Sequence, residues 1–170
     1  METPSESHKR HTLALLVDNR PGVLARVATL VSGRGYNLDS LSVAETMDPA
    51  VSLITLIVSG SPRIVSQIVK QLRKLINVIK VSDLSDMDYV ERQLVMVRVR
   101  ALNGAREEIM RLCEIFRCKV IDVSPKSYTL EITGGQDKIR AALSLLAEFG
   151  IEEQVSTGLT AMARSLSAKK

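Results

Sequence analysis

The chain has 170 residues, room for one domain of average size or two small ones, and its 45% hydrophobic content excludes disorder over most of its length. A net charge of +4 invites a nucleic-acid reading, but Lys and Arg number ten against nine Asp and Glu up to Asp88 and thirteen against ten beyond it. The signs interleave, with only Lys169 and Lys170 as a small basic tail, which describes solvated faces rather than a phosphate-binding block.

The first apolar run, HTLALLV (11–17), alternates Leu13, Leu15 and Val17 with Thr12, Ala14 and Leu16, a period of two that predicts a strand. DNRPG (18–22) turns the chain, after which Val23, Leu24, Val27, Ala28 and Val31 recur at helical spacing until Gly33 or Gly35. YNLDSLSVAE (36–45), the turn TMDPA (46–50) and VSLITLIVSG (51–60) predict a hairpin. Ile64, Val65, Ile68, Val69, Leu72 and Leu75 then form one helical stripe, and INVIKVS (76–82) returns as a strand. This first half reads βαββαβ.

After the polar joint SDMDYVER (85–92) the order repeats. QLVMVRVRA (93–101) is a strand, and a helix from Asn103 to Phe116 turns Ile109, Leu112, Cys113 and Phe116 inward. CKVIDVS (118–124) and SYTLEIT (127–133) are strands, 137–148 is a helix with Ile139, Ala142, Leu143 and Leu146 inward, and IEEQVS (151–156) is a strand. The expectation is an α+β protein of two tandem ferredoxin-like βαββαβ units, over 10–84 and 93–160, with a linker at 85–92 and a tail at 161–170.

Units this small are marginal alone. In VSLITLIVSG, Val51, Leu53 and Ile57 fall on one face and Ile54, Leu56 and Val58 on the other, so both faces are apolar while helices cover only one. The second face calls for another protein surface, a homodimer or a docked partner, with each buried Val or Leu contributing roughly 1.5–3 kcal/mol.

No apolar run reaches the roughly 20 residues of a membrane span. METPSESHKR has neither the hydrophobic block of a signal peptide nor an Arg-rich, acid-free transit character, so a soluble cytoplasmic protein with no membrane contact is expected. An RNA reader of this fold stacks bases on aromatic strand residues; 3% aromatics and no Trp exclude that, and no nucleic acid is expected as a partner.

Catalysis has little to stand on. His8 and His11 sit near the N-terminus with no third ligand or carboxylate arranged beside them and read as surface residues. Glu107 and Glu108 diverge on a helix, and Glu152 and Glu153 alternate across a strand. GGQDK (134–138) lacks the Lys-Ser/Thr of a phosphate loop and reads as a turn with Asp137 capping a helix. Cys113 and Cys118 are spaced wrongly for a CxxC pair and read as buried thiols. No catalytic residue, metal site or cofactor is expected in this chain.

Ligand sensing has more support. Gly22 and the residues after it offer free backbone N–H groups at a helix start, which suits an amino-acid carboxylate. Asn19 and Asn37 carry amides suited to an α-ammonium or carboxylate, and the neighbouring Val, Leu and Ala suit a branched aliphatic side chain. A purely structural alternative stands beside this: Asn19 turns the chain, Pro21 starts the helix and Gly22 permits close packing.

NRPGVLARV, RGYNLDSLSVAET, the Asp48-Pro49 turn, KLINVIKVSDL, VERQLVMVRVRA and EIFRCKVIDVSPKSYTLEITG together resemble the small regulatory subunits of acetohydroxyacid synthase, also called acetolactate synthase, from about His11 to about Gly158. The resemblance implies an N-terminal ACT domain for effector binding and dimerisation, an ACT-like C-terminal domain and no catalysis of its own. It implies a large catalytic subunit as partner, carrying thiamine diphosphate, Mg and FAD and condensing pyruvate with pyruvate or 2-oxobutyrate. The small subunit would activate that partner and confer feedback inhibition in branched-chain amino-acid biosynthesis, usually by valine, bound between two ACT domains of a homodimer. By the same resemblance Asn19 and Gly22 belong to the effector loop, Val23 and Leu24 offer backbone N–H groups, Asn37 reaches across from the paired chain and Leu38 lines the pocket. Ser52-Leu53-Ile54-Thr55 departs from the Ser-Arg-Met-Thr frequent in the family, and Arg20-Pro21 from an acidic-Ser pair. Another ACT-type amino-acid sensor, acting on transcription, would need a DNA-binding element, and no helix-turn-helix flanks the two units. A self-contained enzyme would turn over pyruvate without a partner.

Overall fold

The computed structural model describes residues 9–33, 36–102 and 104–165. His8, Gly35, Asn103, Lys169 and Lys170 therefore lie outside the described residues. The chain divides into two compact units, one of residues up to Val90 together with those from Leu159 onward, the other of Glu91–Gly158. Each unit is an antiparallel α+β sheet carrying two helices, as the repeated βαββαβ pattern predicts.

In the first unit, β1 (Arg10–Asp18) leads through the DNRPG corner into α1 (Val23–Ser32). β2 (Asn37–Glu45) and β3 (Val51–Ser59) form the hairpin, α2 (Pro62–Leu72) follows, and β4 (Val78–Asp83) closes the sheet in the order β2-β3-β1-β4. The alternation in β1 does what its period demands: Leu13, Leu15 and Val17 are buried against Val23, Val27 and Val31 of α1 and Val65, Ile68 and Leu72 of α2. Ile54, Leu56 and Val58 of β3 complete this core. β2 and β4 are the edges.

In the second unit, β5 (Tyr89–Arg100), α3 (Ala105–Phe116), β6 (Lys119–Val123), β7 (Ser127–Gly134), α4 (Gln136–Leu146), a short 3-10 turn (Ala147–Phe149) and β8 (Ile151–Ser156) give the matching order β6-β7-β5-β8. Val95, Val97, Val99, Ile109, Leu130, Ile132, Ile139 and Leu146 form its core. β5 starts four residues before the expected strand, so SDMDYVER is only partly a joint and its last four residues are extended.

One element was not expected from sequence. β9 (Thr160–Ala163) lies where a tail was anticipated, groups with the first unit, and anchors through Arg164 N–H to Asp88 O at 2.9 Å. Leu159 and Ala161 are buried with Ile57 and Leu84 on the face of the first sheet that the helices leave open, and Leu159 N–H donates to Ser40 Oγ at 3.1 Å. Part of the second apolar face of β3 is thus covered by the chain's own last strand. The remainder, around Leu16, Leu53, Lys80 and Met162, forms a half-open cleft of about 290 Å³.

Candidate functional site: the corner between β1 and α1

The corner is shaped by one glycine. Gly22 precedes α1 at φ 85°, ψ −11°, a conformation that residues with a side chain avoid, and a Cβ placed there would meet nothing within 4 Å. Gly22 is therefore required by the backbone and not, as the structural alternative had it, by close packing.

Space outside the corner is open, and among the described residues the helix start facing it has no side-chain cap from its N-cap residue and no acid in its first turn. Val23 N–H has only a long 3.3 Å contact to Arg20 O. The first N–H groups of a helix lack intrahelical acceptors and carry about half a positive charge, so they favour an anion. Val23 is buried and presents backbone alone, whereas Leu24 stands 37% exposed beside it.

Asn19 ties this corner to the hairpin turn. Its Nδ2 donates to Glu45 Oε1 and to Pro49 O, both at 2.9 Å, and its N–H donates to Ala50 O at 2.8 Å. Among the described residues both of these side-chain bonds use its nitrogen, not its oxygen. Asp48, whose Oδ1 accepts Ala50 N–H at 2.9 Å, forms the expected turn beneath it.

Asn37 and Leu38 are elsewhere. Asn37 pairs with Ser59 and Ser59 with Arg10, whereas Asn19 follows Asp18, which pairs with Val51. The two amides therefore sit at opposite ends of the sheet, separated by the length of a nine-residue strand, roughly 26 Å at about 3.3 Å per residue. Asn37 is exposed on the edge strand and bonded to Asp39, and Leu38 is half-buried against the core. One chain does not bring Asn19 and Asn37 together.

The remaining candidates resolve differently. Gly135, not Asp137, precedes α4, and the Glu91 carboxylate accepts Gln136 N–H at 3.0 Å, so that helix start already holds an anion. Asp137 instead pairs with Arg140 at 2.9 Å. His11, expected at the surface, is 4% exposed; its side chain shares the inner face of β1 with Leu13, and its nearest carboxylate, Asp83 Oδ2, is 3.8 Å away. Glu152 and Glu153 pair with Arg100 and Arg98. Among the described residues no group of three or more His, Cys, Asp or Glu could hold a metal ion, and no helix is long and apolar enough to cross a membrane. Glu45 escaped the sequence reading because its bond to Asn19 spans 26 residues and has no local signature.

Two βαββαβ units in tandem are the fold of an ACT-type protein, and residues 13–80 match the family described as the AHAS small subunit-like ACT domain. Residues 92–165 match the family described as the small subunit of acetolactate synthase. The acetolactate synthase small subunit of Aquifex aeolicus is 48% identical, over 95% of this chain and 85% of its own length. That of Mycobacterium bovis is 45% identical over 93% and 94%. The crystal structure of the acetolactate synthase small subunit from Thermotoga maritima superposes with a TM-score of 0.82 at 39% identity, covering 92% of this chain and 98% of that one. The chain belongs to the acetolactate synthase small-subunit family.

Proposed function

We propose that this protein is the non-catalytic regulatory subunit of an acetohydroxyacid synthase, that it activates a large catalytic subunit in the cytoplasm, and that it confers feedback inhibition by a branched-chain amino acid, valine foremost. Thiamine diphosphate, Mg and FAD belong, on this reading, to the catalytic partner. The observation that carries the effector site is the uncapped start of α1 beside Asn19. The effector's carboxylate takes the N–H groups after Gly22, its ammonium takes the Asn19 side-chain oxygen, and its aliphatic branch lies against Leu24.

The separation of Asn19 and Asn37 favours a site shared by two chains of a homodimer. β2 is an edge with unpaired backbone groups. Two β2 edges paired antiparallel about Leu41 would set the partner's Asn37 opposite Glu45, the residue that holds Asn19. The effector then contacts both chains, and binding one state of the holoenzyme better than the other shifts its activity, with a coupling of about 1–3 kcal/mol. Domain roles follow: effector binding and dimerisation in the first unit, over 10–84, and an ACT-like role for the second, over Glu91–Gly158.

The test is co-purification with the large subunit from the same source, followed by reconstitution. Activation on adding this chain, then inhibition on adding valine, is the expected result. No association, or acetolactate formation by this chain alone, would defeat the reading. A monomer in sedimentation at micromolar concentration would remove the shared site.

A further inference from the structure

Cys113 and Cys118 close the C-terminus of α3. Residues five apart on a straight helix point about 140° away from each other, so their spacing alone separates them. The helix does not run straight through them. Arg117 takes the left-handed conformation at φ 50°, ψ 47°, Cys118 N–H donates to Cys113 O at 2.8 Å and Arg117 N–H donates to Glu114 O at 3.2 Å. This is a Schellman turn, in which the side chains of the two residues joined by the longer-range bond touch, normally as an apolar pair. Here both are cysteines, so the turn sets the two thiols beside each other.

The two sulfurs are inequivalent. Cys113 is buried in the core of the second unit, whereas Cys118 is half-buried and reachable from solvent. The hydrogen bond from Cys113 holds the Cys118 thiol below the ordinary thiol range; burial opposes this, and the Lys138 ammonium adds to it. The same hydrogen bond, then burial, then the Cys118 charge, drive Cys113 upward. The more exposed sulfur, Cys118, is thus the one favoured as nucleophile, with Cys113 as its buried neighbour across the turn.

We infer that Cys113 and Cys118 form a peroxide-reactive dithiol that closes reversibly to a disulfide within one chain. The Cys118 thiolate attacks one oxygen of hydrogen peroxide; the O–O bond breaks, hydroxide leaves and becomes water, and Cys118 carries a sulfenic acid. That sulfur no longer bears the charge that held the proton on Cys113. Cys113 sulfur then attacks Cys118 sulfur, the S–O bond breaks, and the departing hydroxide leaves as water with the Cys113 proton. Two thiols are oxidised by two electrons, and one peroxide is reduced to two waters. A dithiol reductant reverses the closure by thiol–disulfide exchange.

Intact mass of the full-length protein after mild peroxide should fall by two hydrogens, with neither cysteine left to alkylate. Trypsin cuts after Arg117, so a non-reducing digest should contain Leu112–Arg117 joined to Cys118–Lys119, separated by dithiothreitol. Cys113→Ser should stall with added oxygen on Cys118, and Cys118→Ser should leave Cys113 unoxidised and slow to alkylate. Lys138→Met should slow Cys118 alkylation severalfold at neutral pH. Two free cysteines after peroxide, a disulfide joining two chains on a non-reducing gel, or unchanged oxidation of Cys113 in Cys118→Ser would overturn the inference.

Discussion

The two units turn from first strand into first helix through nearly the same backbone, Gly22 at φ 85° and Gly104 at φ 83°, each with open space where a side chain would project. They differ in the charges placed on the first turn of the helix. α3 carries Glu107 and Glu108 in its first turn, which complement the helix start from within. Arg106 reaches back to Ala101 O at 3.1 Å and Pro125 O at 2.6 Å and lies 5.4 Å from the Tyr128 ring centroid. α1 has no acid in its first turn, and neither helix start is capped by a side chain of its N-cap residue. The sheet faces differ in the same sense: the outer face of the second unit holds Arg98–Glu153 and Arg100–Glu152 ion pairs, while that of the first is apolar and seats Leu159 and Ala161. The repeated fold thus places acids in the first turn of one helix start and none in that of the other, which is left the more electropositive.

The sharpest way to break this contrast is a matched pair of substitutions. Gly22→Asp places a carboxylate at the open corner and should abolish valine inhibition of the reconstituted enzyme while activation persists. Gly104→Asp imposes comparable backbone strain, about 1–2 kcal/mol, and should leave inhibition intact. Equal loss in both would assign the effect to strain, and full inhibition of Gly22→Asp would end the site assignment.

Next in size is Leu159→Ala, which empties a position only 1% exposed and should lower the stability of the first unit by about 2–4 kcal/mol in urea titration. On the outer face of the second unit, Arg98→Ala removes a largely solvated ion pair and should change stability by no more than about 1 kcal/mol. Comparable losses would mean that the two faces do not differ as described.

The smallest effect concerns the pocket proposed between two chains. Asn37→Ala should weaken valine binding about tenfold in calorimetry, about 1.4 kcal/mol, the scale of one hydrogen bond to a charged group. Lys119→Ala, at the start of the equivalent strand of the second unit, should leave it unchanged.

What was legible in the sequence was what repeats locally. Val23, Val27 and Val31, or Leu13, Leu15 and Val17, announce their elements because periods of 3.6 and 2 place them on one face. Thr160–Ala163 has no such period: four residues of Thr, Ala and Met become a strand because they pair with β5, which begins about seventy positions earlier. The strand through Tyr89–Arg92 was masked by polar composition. At the corner, the turn and helix start were readable from Pro21-Gly22. The latch from Asn19 to Glu45 and the Schellman contact of Cys113 with Cys118 were not, since each depends on a backbone path that residue type does not encode.

The return of the final strand has a consequence for synthesis. A chain made from its N-terminus has all four strands and both helices of the first unit once Leu84 has been added, yet Leu159 follows 75 residues later. At about 5–20 residues per second, Ile57 and Leu84 wait roughly 4–15 s for their cover, and the second unit is made within that interval. A first unit emerging from the ribosome therefore has this apolar face bare until Leu159 and Ala161 follow to cover it.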